Sequence, residues 1–92
     1  MTEPEAQFLT SVKVKVLYFA QAREFAGTRE EELVLLHPTD VNRLFSELMN
    51  AHPKLASIKG ILSVLVNGLR VSEDVELKDG DRVALVPPVA GG

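Results

Sequence analysis

The sequence predicts an α+β domain in which a mixed five-stranded sheet is covered on one face by one main helix. Five short segments carry strand patterning, while only one segment carries a long helical stripe. In addition, Asn67-Gly68 joins two of the strands through the tightest kind of hairpin.

The first strand runs from Val12 to Phe19. Val12, Val14, Val16 and Tyr18 alternate with Lys13, Lys15, Leu17 and Phe19, the period of a strand with one face buried. The second set starts as lysine and ends apolar, so Leu17 and Phe19 are expected to point away from the core. Ala20 to Ala26 is a short turn or helix closed by Gly27, and Glu30 to Leu36 is a second strand with an acidic entrance, ended by His37-Pro38. Thr39-Asp40 supplies N-cap chemistry for the main helix, which runs to about His52 with Val41, Leu44, Phe45, Leu48 and Met49 on one stripe. Pro53 stops it. The third strand is expected over Ile61 to Val66, a short fourth over Leu69 to Val71, and, after the Asp79-Gly80-Asp81 turn, a last one over Arg82 to Val86. This layout suits a ubiquitin-like β-grasp, with the first and last strands side by side in mid-sheet. A ferredoxin-like fold needs a second long helix, and Ala20 to Ala26 is too short to be one.

At 92 residues, 46% hydrophobic and 25% charged, the chain has the composition of one soluble domain that needs no disulfide or metal to fold. The absence of cysteine excludes a disulfide framework, a thiolate nucleophile and a Cys-ligated zinc site. A net charge of −3, dispersed Lys and Arg and 5% aromatic residues argue against nucleic acid as a partner. The apolar runs are too short for a membrane span, and residues 1–11 lack a basic n-region, so a cytosolic protein with a loose N-terminal extension is expected. The domain proper is expected over 12–86 and an extended tail over 87–92.

The tail, Pro87-Pro88-Val89-Ala90-Gly91-Gly92, draws attention to its own carboxylate. Two prolines fix φ and hold the chain extended. Two glycines can lie in a channel too narrow for a side chain. Residues at about 3.3 Å each would carry Gly92 roughly 20 Å from the last strand, far enough to enter a second protein. A second feature adjoins it. With Val83 and Leu85 pointing inward, Ala84 and Val86 point outward beside Leu17 and Phe19, which makes an apolar patch at the root of the tail. The simpler expectation, that Ala20 to Ala26 or the N-terminal extension covers these residues, stands beside it.

The segments Val16-Leu17-Tyr18-Phe19-Ala20-Gln21-Ala22-Arg23-Glu24, Gly27, Asp79-Gly80-Asp81 and Pro87 to Gly92 together resemble the small, sulfur-carrying subunits of molybdopterin synthases, a family of ubiquitin-like sulfur carriers. The resemblance covers about Val12 to Gly92. It implies that Gly92 is adenylated with ATP by an adenylyltransferase of the ubiquitin-activating type, converted to a thiocarboxylate, and then donates sulfur to cyclic pyranopterin monophosphate. No cofactor is implied on the chain itself; the catalytic site would belong to a large subunit, in a heterotetramer of two small and two large chains. It also implies partner contacts at Phe19 and Val86. A third apolar position of the family falls here on Arg70, or on Leu69 if the register shifts by one, which is a departure from the pattern.

Other polar residues read as structural. His37 and His52 each precede proline at the end of an element, as solvated or helix-end groups. Glu30, Glu31 and Glu32 read as a solvated strand entrance, and Asp79 and Asp81 as turn formers. No metal site is expected. Three rival roles remain at this level: a carrier for thiamine or tRNA thiolation, against which Ala20 to Gly27 argues, a ubiquitin-like modifier that links Gly92 to lysines, and a purely structural interaction domain.

Overall fold

The computed structural model describes residues 11–88. Strand β1 (Ser11–Tyr18) lies antiparallel to β2 (Glu30–Leu36) and parallel to β7 (Arg82–Val86); β7 in turn pairs antiparallel with β4 (Ser63–Val66), which makes a hairpin with β5 (Leu69–Val71). The sheet order is therefore β2-β1-β7-β4-β5, a β-grasp with β7 at its centre. Helix α1 (Gln21–Ala26) follows β1, and helix α2 (Val41–Ala51) covers one face of the sheet.

The first strand shows why the patterning works. Val12, Val14, Val16 and Tyr18 are all buried, against the stripe of Val41, Leu44, Phe45 and Leu48 on α2. Each such side chain contributes about 1.5 to 3 kcal/mol on burial, and a one-residue slip would turn all four to water. Asp40 caps α2 by accepting the Arg43 amide (2.9 Å), and α1 ends on Gly27 at φ 77°, a left-handed geometry that suits glycine. The hairpin at Asn67 (φ 52°) and Gly68 (φ 87°) has both central residues at positive φ, as a type I′ turn requires.

Three features depart from the sequence reading. A long 3₁₀ helix (Pro53–Ile61) follows α2, so the third main strand begins at Ser63 and not at Ile61. Leu55 and Ile58 are buried three residues apart, the period of a 3₁₀ helix, while Ile61 remains exposed. Two further strands, β3 (Thr39–Asp40) and β6 (Glu76–Leu77), form a separate two-stranded ladder. Two-residue strands carry no periodicity, so nothing in the sequence marks them. Finally, Ser11 already belongs to β1, opposite Leu36; residues 1–10, the rest of the expected N-terminal extension, lie outside the described residues.

Candidate functional site

The face of the sheet opposite α2 is built from the alternate residues of every strand. Register places Leu17 opposite Ala84, Ala84 opposite Leu65, and Leu65 opposite Arg70, while Leu17 faces Glu30 on its other side. One row thus crosses all five strands as Glu30, Leu17, Ala84, Leu65, Arg70. Directly opposite residues share a face, so these five side chains project together. The next row toward the end of β7 holds Val86 and Ser63, with Phe19 just past the end of β1. Leu17, Leu65, Ala84 and Val86 are half-buried, and Phe19 is 41% exposed.

Helix α1 does not cover this face. Ala20 sits at φ 52°, ψ −126°, a backbone region strained for a residue with a Cβ, and the chain turns sharply there immediately after Phe19. The helix is thereby directed toward the 3₁₀ segment and buries Ala22 completely. A cleft of about 280 Å³ opens between Phe19, Arg23 and Arg29, beside Leu17. A larger cleft of about 420 Å³, lined by Thr39, Asp40, Asp74 and Glu76, lies at the opposite end of β1, and its carboxylates are occupied structurally: Asp40 caps α2, Asp74 accepts the Ser72 hydroxyl and Glu76 lies 3.8 Å from His37.

The root of the tail is held firmly. The Phe19 amide donates to the Leu85 carbonyl (3.2 Å) and the Tyr18 amide to that of Arg29 (2.8 Å), so the ends of β1, β2 and β7 are tied together. At the other end of β7 the Lys13 amide donates to Asp79 Oδ1 (2.8 Å), the Gly80 amide to the Lys13 carbonyl (2.7 Å) and the Lys78 amide to Asp81 Oδ2 (2.8 Å). Asn67 serves this turn as well as its hairpin. Its Nδ2 donates to Asp81 Oδ1 (2.9 Å), and its Oδ1 accepts the Arg82 amide (3.0 Å). The start of β7 is thus clamped from both neighbouring strands.

Glu31 was read with Glu30 and Glu32 as a solvated entrance, and the structure corrects this. Register turns Glu30 and Glu32 to the open face but Glu31 to the helix side, where it is half-buried. There its Oε2 accepts the Tyr18 hydroxyl and lies 2.6 Å from His52 Nε2. The rings of Tyr18 and His52 meet edge to face with centroids 5.8 Å apart. His52 is therefore a helix-end partner of a carboxylate, and the group joins β1, β2 and the end of α2. Burial, and the Glu31 carboxylate next, push the Tyr18 hydroxyl far above its ordinary pKa.

The expected contact residues divide by register. Leu17, Phe19, Ala84 and Val86 lie together on the open face, and Arg70 lies on it beside Leu65. Leu69 pairs with Val66 and so takes the phase of the helix side, at the exposed edge of the sheet. Leu65 was missed by the sequence reading. It sits mid-run in Ser63–Val66, and only its pairing with Ala84 and Arg70 reveals its part in the strip. Pro87 is buried and Pro88 exposed; Val89, Ala90, Gly91 and Gly92 lie outside the described residues. His37 is exposed, 3.8 Å from Glu76. Among the described residues no helix is long and apolar enough to cross a membrane.

The ThiS family profile matches residues 16–92. The molybdopterin synthase sulfur carrier subunit of Escherichia coli is 42% identical over 80 residues, which span 86% of this chain and 99% of that protein. Its counterpart from Chlamydomonas reinhardtii is 37% identical over 83 residues, 88% of this chain and 100% of that protein. Among solved structures, molybdopterin converting factor subunit 1 of Pyrococcus furiosus superposes with a TM-score of 0.78 at 42% identity, covering 85% of this chain and 99% of its own. SAMP1 of Haloferax volcanii, a small archaeal modifier protein, gives 0.80 at 28% identity over 87% and 99%. A complex of subunits 1 and 2 of molybdopterin-converting factor from Helicobacter pylori contains a chain with a TM-score of 0.62 at 26% identity, covering 88% of this chain and all of that one. By its fold, by the run of matching residues and by identity to these relatives, the chain belongs to the ThiS family, alongside the molybdopterin synthase sulfur carrier subunits.

Proposed function

We propose that this chain is the sulfur-carrying subunit of a molybdopterin synthase, and that its reactive group is the carboxylate of Gly92. The observation that carries the reading is the apolar strip of Leu17, Ala84 and Leu65, with Phe19 and Val86, at the point where β7 runs into Pro87 and Pro88. A strip of that kind suits a partner that grips the body while the tail enters its active site. Relatives that match nearly end to end bear the same role in their names, and the Helicobacter pylori neighbour was solved in complex with its subunit 2.

The chemistry follows from the weakness of a carboxylate as an acyl electrophile. The Gly92 carboxylate attacks ATP on a ubiquitin-activating-type enzyme and displaces pyrophosphate, giving an acyl-adenylate. A sulfur donor then expels AMP and leaves a thiocarboxylate. That soft nucleophile attacks cyclic pyranopterin monophosphate through sulfur in the active site of the large subunit, water cleaves the acyl-sulfur bond and restores the Gly92 carboxylate, and two such transfers complete the dithiolene. Two small and two large chains make the assembly, with the catalytic acids and bases on the large ones.

A second reading, a ubiquitin-like modifier, is favoured by the likeness to SAMP1. Both readings use the same adenylate and differ in the nucleophile that receives it. Incubating the chain with its activating enzyme, ATP and a sulfur donor, then with a lysate of its own source, separates them. The expected product is the intact protein with one terminal oxygen replaced by sulfur, and loss of that product when Gly92 is deleted. Lysine-linked conjugates with no thiocarboxylate would replace the carrier reading by the modifier.

A further inference from the structure

The open face of the sheet carries a charge pattern that the sequence alone does not assemble. Four cations, Lys13, Lys15, Arg70 and Arg82, project from it against two carboxylates, Glu30 and Glu32. The whole chain, by contrast, has a net charge of −3. These cations are answered unevenly, and Lys13 has no ion pair among the described residues. On the β2 side of the apolar strip Lys15 Nζ pairs with Glu30 Oε2 (3.5 Å). At the β5 edge Arg70 stands next to Leu65, and in the central strand Arg82 stands opposite Lys15, one row below Ala84. Neither guanidinium has an ion pair or a side-chain hydrogen bond among the described residues. The nearby turn carboxylates do not answer them, because Asp79 accepts the Lys13 amide and Asp81 accepts the Lys78 amide and Asn67 Nδ2.

An unpaired guanidinium beside an apolar strip is well placed for the rim of an interface. If a partner covered Leu65 and left Arg70 facing an apolar or basic surface, the charge would be partly desolvated without compensation. Arg also presents five donors in a planar fork that fits a carboxylate, which makes it selective for such a group.

Resting on the carrier reading above, we infer that the large subunit which covers this face presents carboxylates opposite Arg70 and Arg82, and that these two arginines steer its approach and set partner choice. Phe19 and the apolar strip then govern how long the complex lasts. Steering charges act on the association rate and are screened by salt, whereas buried apolar anchors act on dissociation.

The test is association of the full chain with its cognate large subunit, followed by stopped flow across a range of ionic strength. The variant Arg70→Glu/Arg82→Glu is expected to associate about tenfold or more slowly at low salt, with the deficit vanishing near 1 M salt as the Debye length falls to about 3 Å. Arg70→Gln/Arg82→Gln should lose an intermediate amount and guards against a folding artefact. Phe19→Ala should dissociate faster and keep the salt dependence of the parent. Wild-type association by the charge-reversed variant at low salt overturns the inference, as does a deficit that salt does not relieve, which would mark steric obstruction. If Phe19→Ala also binds like the parent, the docking face itself is wrong, and the carrier reading loses its structural support.

Discussion

Tyr18, Glu31 and His52 show how much one residue's phase decides. Glu31 lies between two exposed glutamates, yet its side chain takes the helix side and accepts the Tyr18 hydroxyl while lying 2.6 Å from His52 Nε2. Tyr18 is raised by burial and by that carboxylate, so folding favours its protonated form. The sign follows by linkage. The contribution is complete below the unfolded-state pKa of about 10 and declines above it, by up to about 1.4 kcal/mol per pH unit, until the hydroxyl of the folded protein also ionises. Tyr18→Phe should therefore cost about 1 to 3 kcal/mol near neutrality, for a hydrogen bond to a charged acceptor, and should unfold less steeply than the parent above pH 10. Denaturant titrations of both proteins from pH 7 to 11 check this; parallel curves would mean that neither burial nor Glu31 raises the hydroxyl. Glu31's role was not legible beforehand, since three consecutive glutamates read alike until pairing with β1 assigns each a face.

At the scale of elements, the caps and turns carry local information that survives without tertiary context. Asp40 in front of Val41 caps α2, Gly27 closes α1, and Asn67-Gly68 makes the hairpin, all as their residue types require. Asp40→Ala should destabilise the protein by about 1 kcal/mol through loss of the bond to the Arg43 amide, with urea denaturation as the measurement. An unchanged midpoint would show that β3, where Asp40 pairs with Glu76, holds the helix start without the cap. The elements that were not legible are the ones with little pattern of their own. The 3₁₀ helix buries only Leu55 and Ile58, and the β3-β6 ladder is two residues long.

At the scale of the fold, the question is how, among the described residues, a small sheet leaves one apolar face without a helix over it. α2 covers one side, α1 is turned toward the 3₁₀ segment at Ala20, and the strip across β1, β7 and β4 is left uncovered by either. Because Phe19 belongs to that strip and is 41% exposed, Phe19→Ala should change folding stability by less than about 1 kcal/mol while weakening partner binding by about 2 kcal/mol or more. Calorimetry with the large subunit, run beside thermal unfolding of the free chain, separates the two. A loss of stability as large as the loss of affinity would place Phe19 in the core.

Sequence alone determined the five strands of the main sheet, the main helix and the inward and outward phases of β1 and β7, because local periodicity and turn chemistry are properties of neighbouring residues; the family came from the resemblance of its motifs. Only the tertiary structure decided that Leu65 joins Leu17 and Ala84, that Arg70 and not Leu69 stands on their face, and that Glu31 meets Tyr18 and His52. Each of those depends on which strand lies beside which. Pairing across a sheet brings together residues far apart in the chain, and no spacing along it records the register.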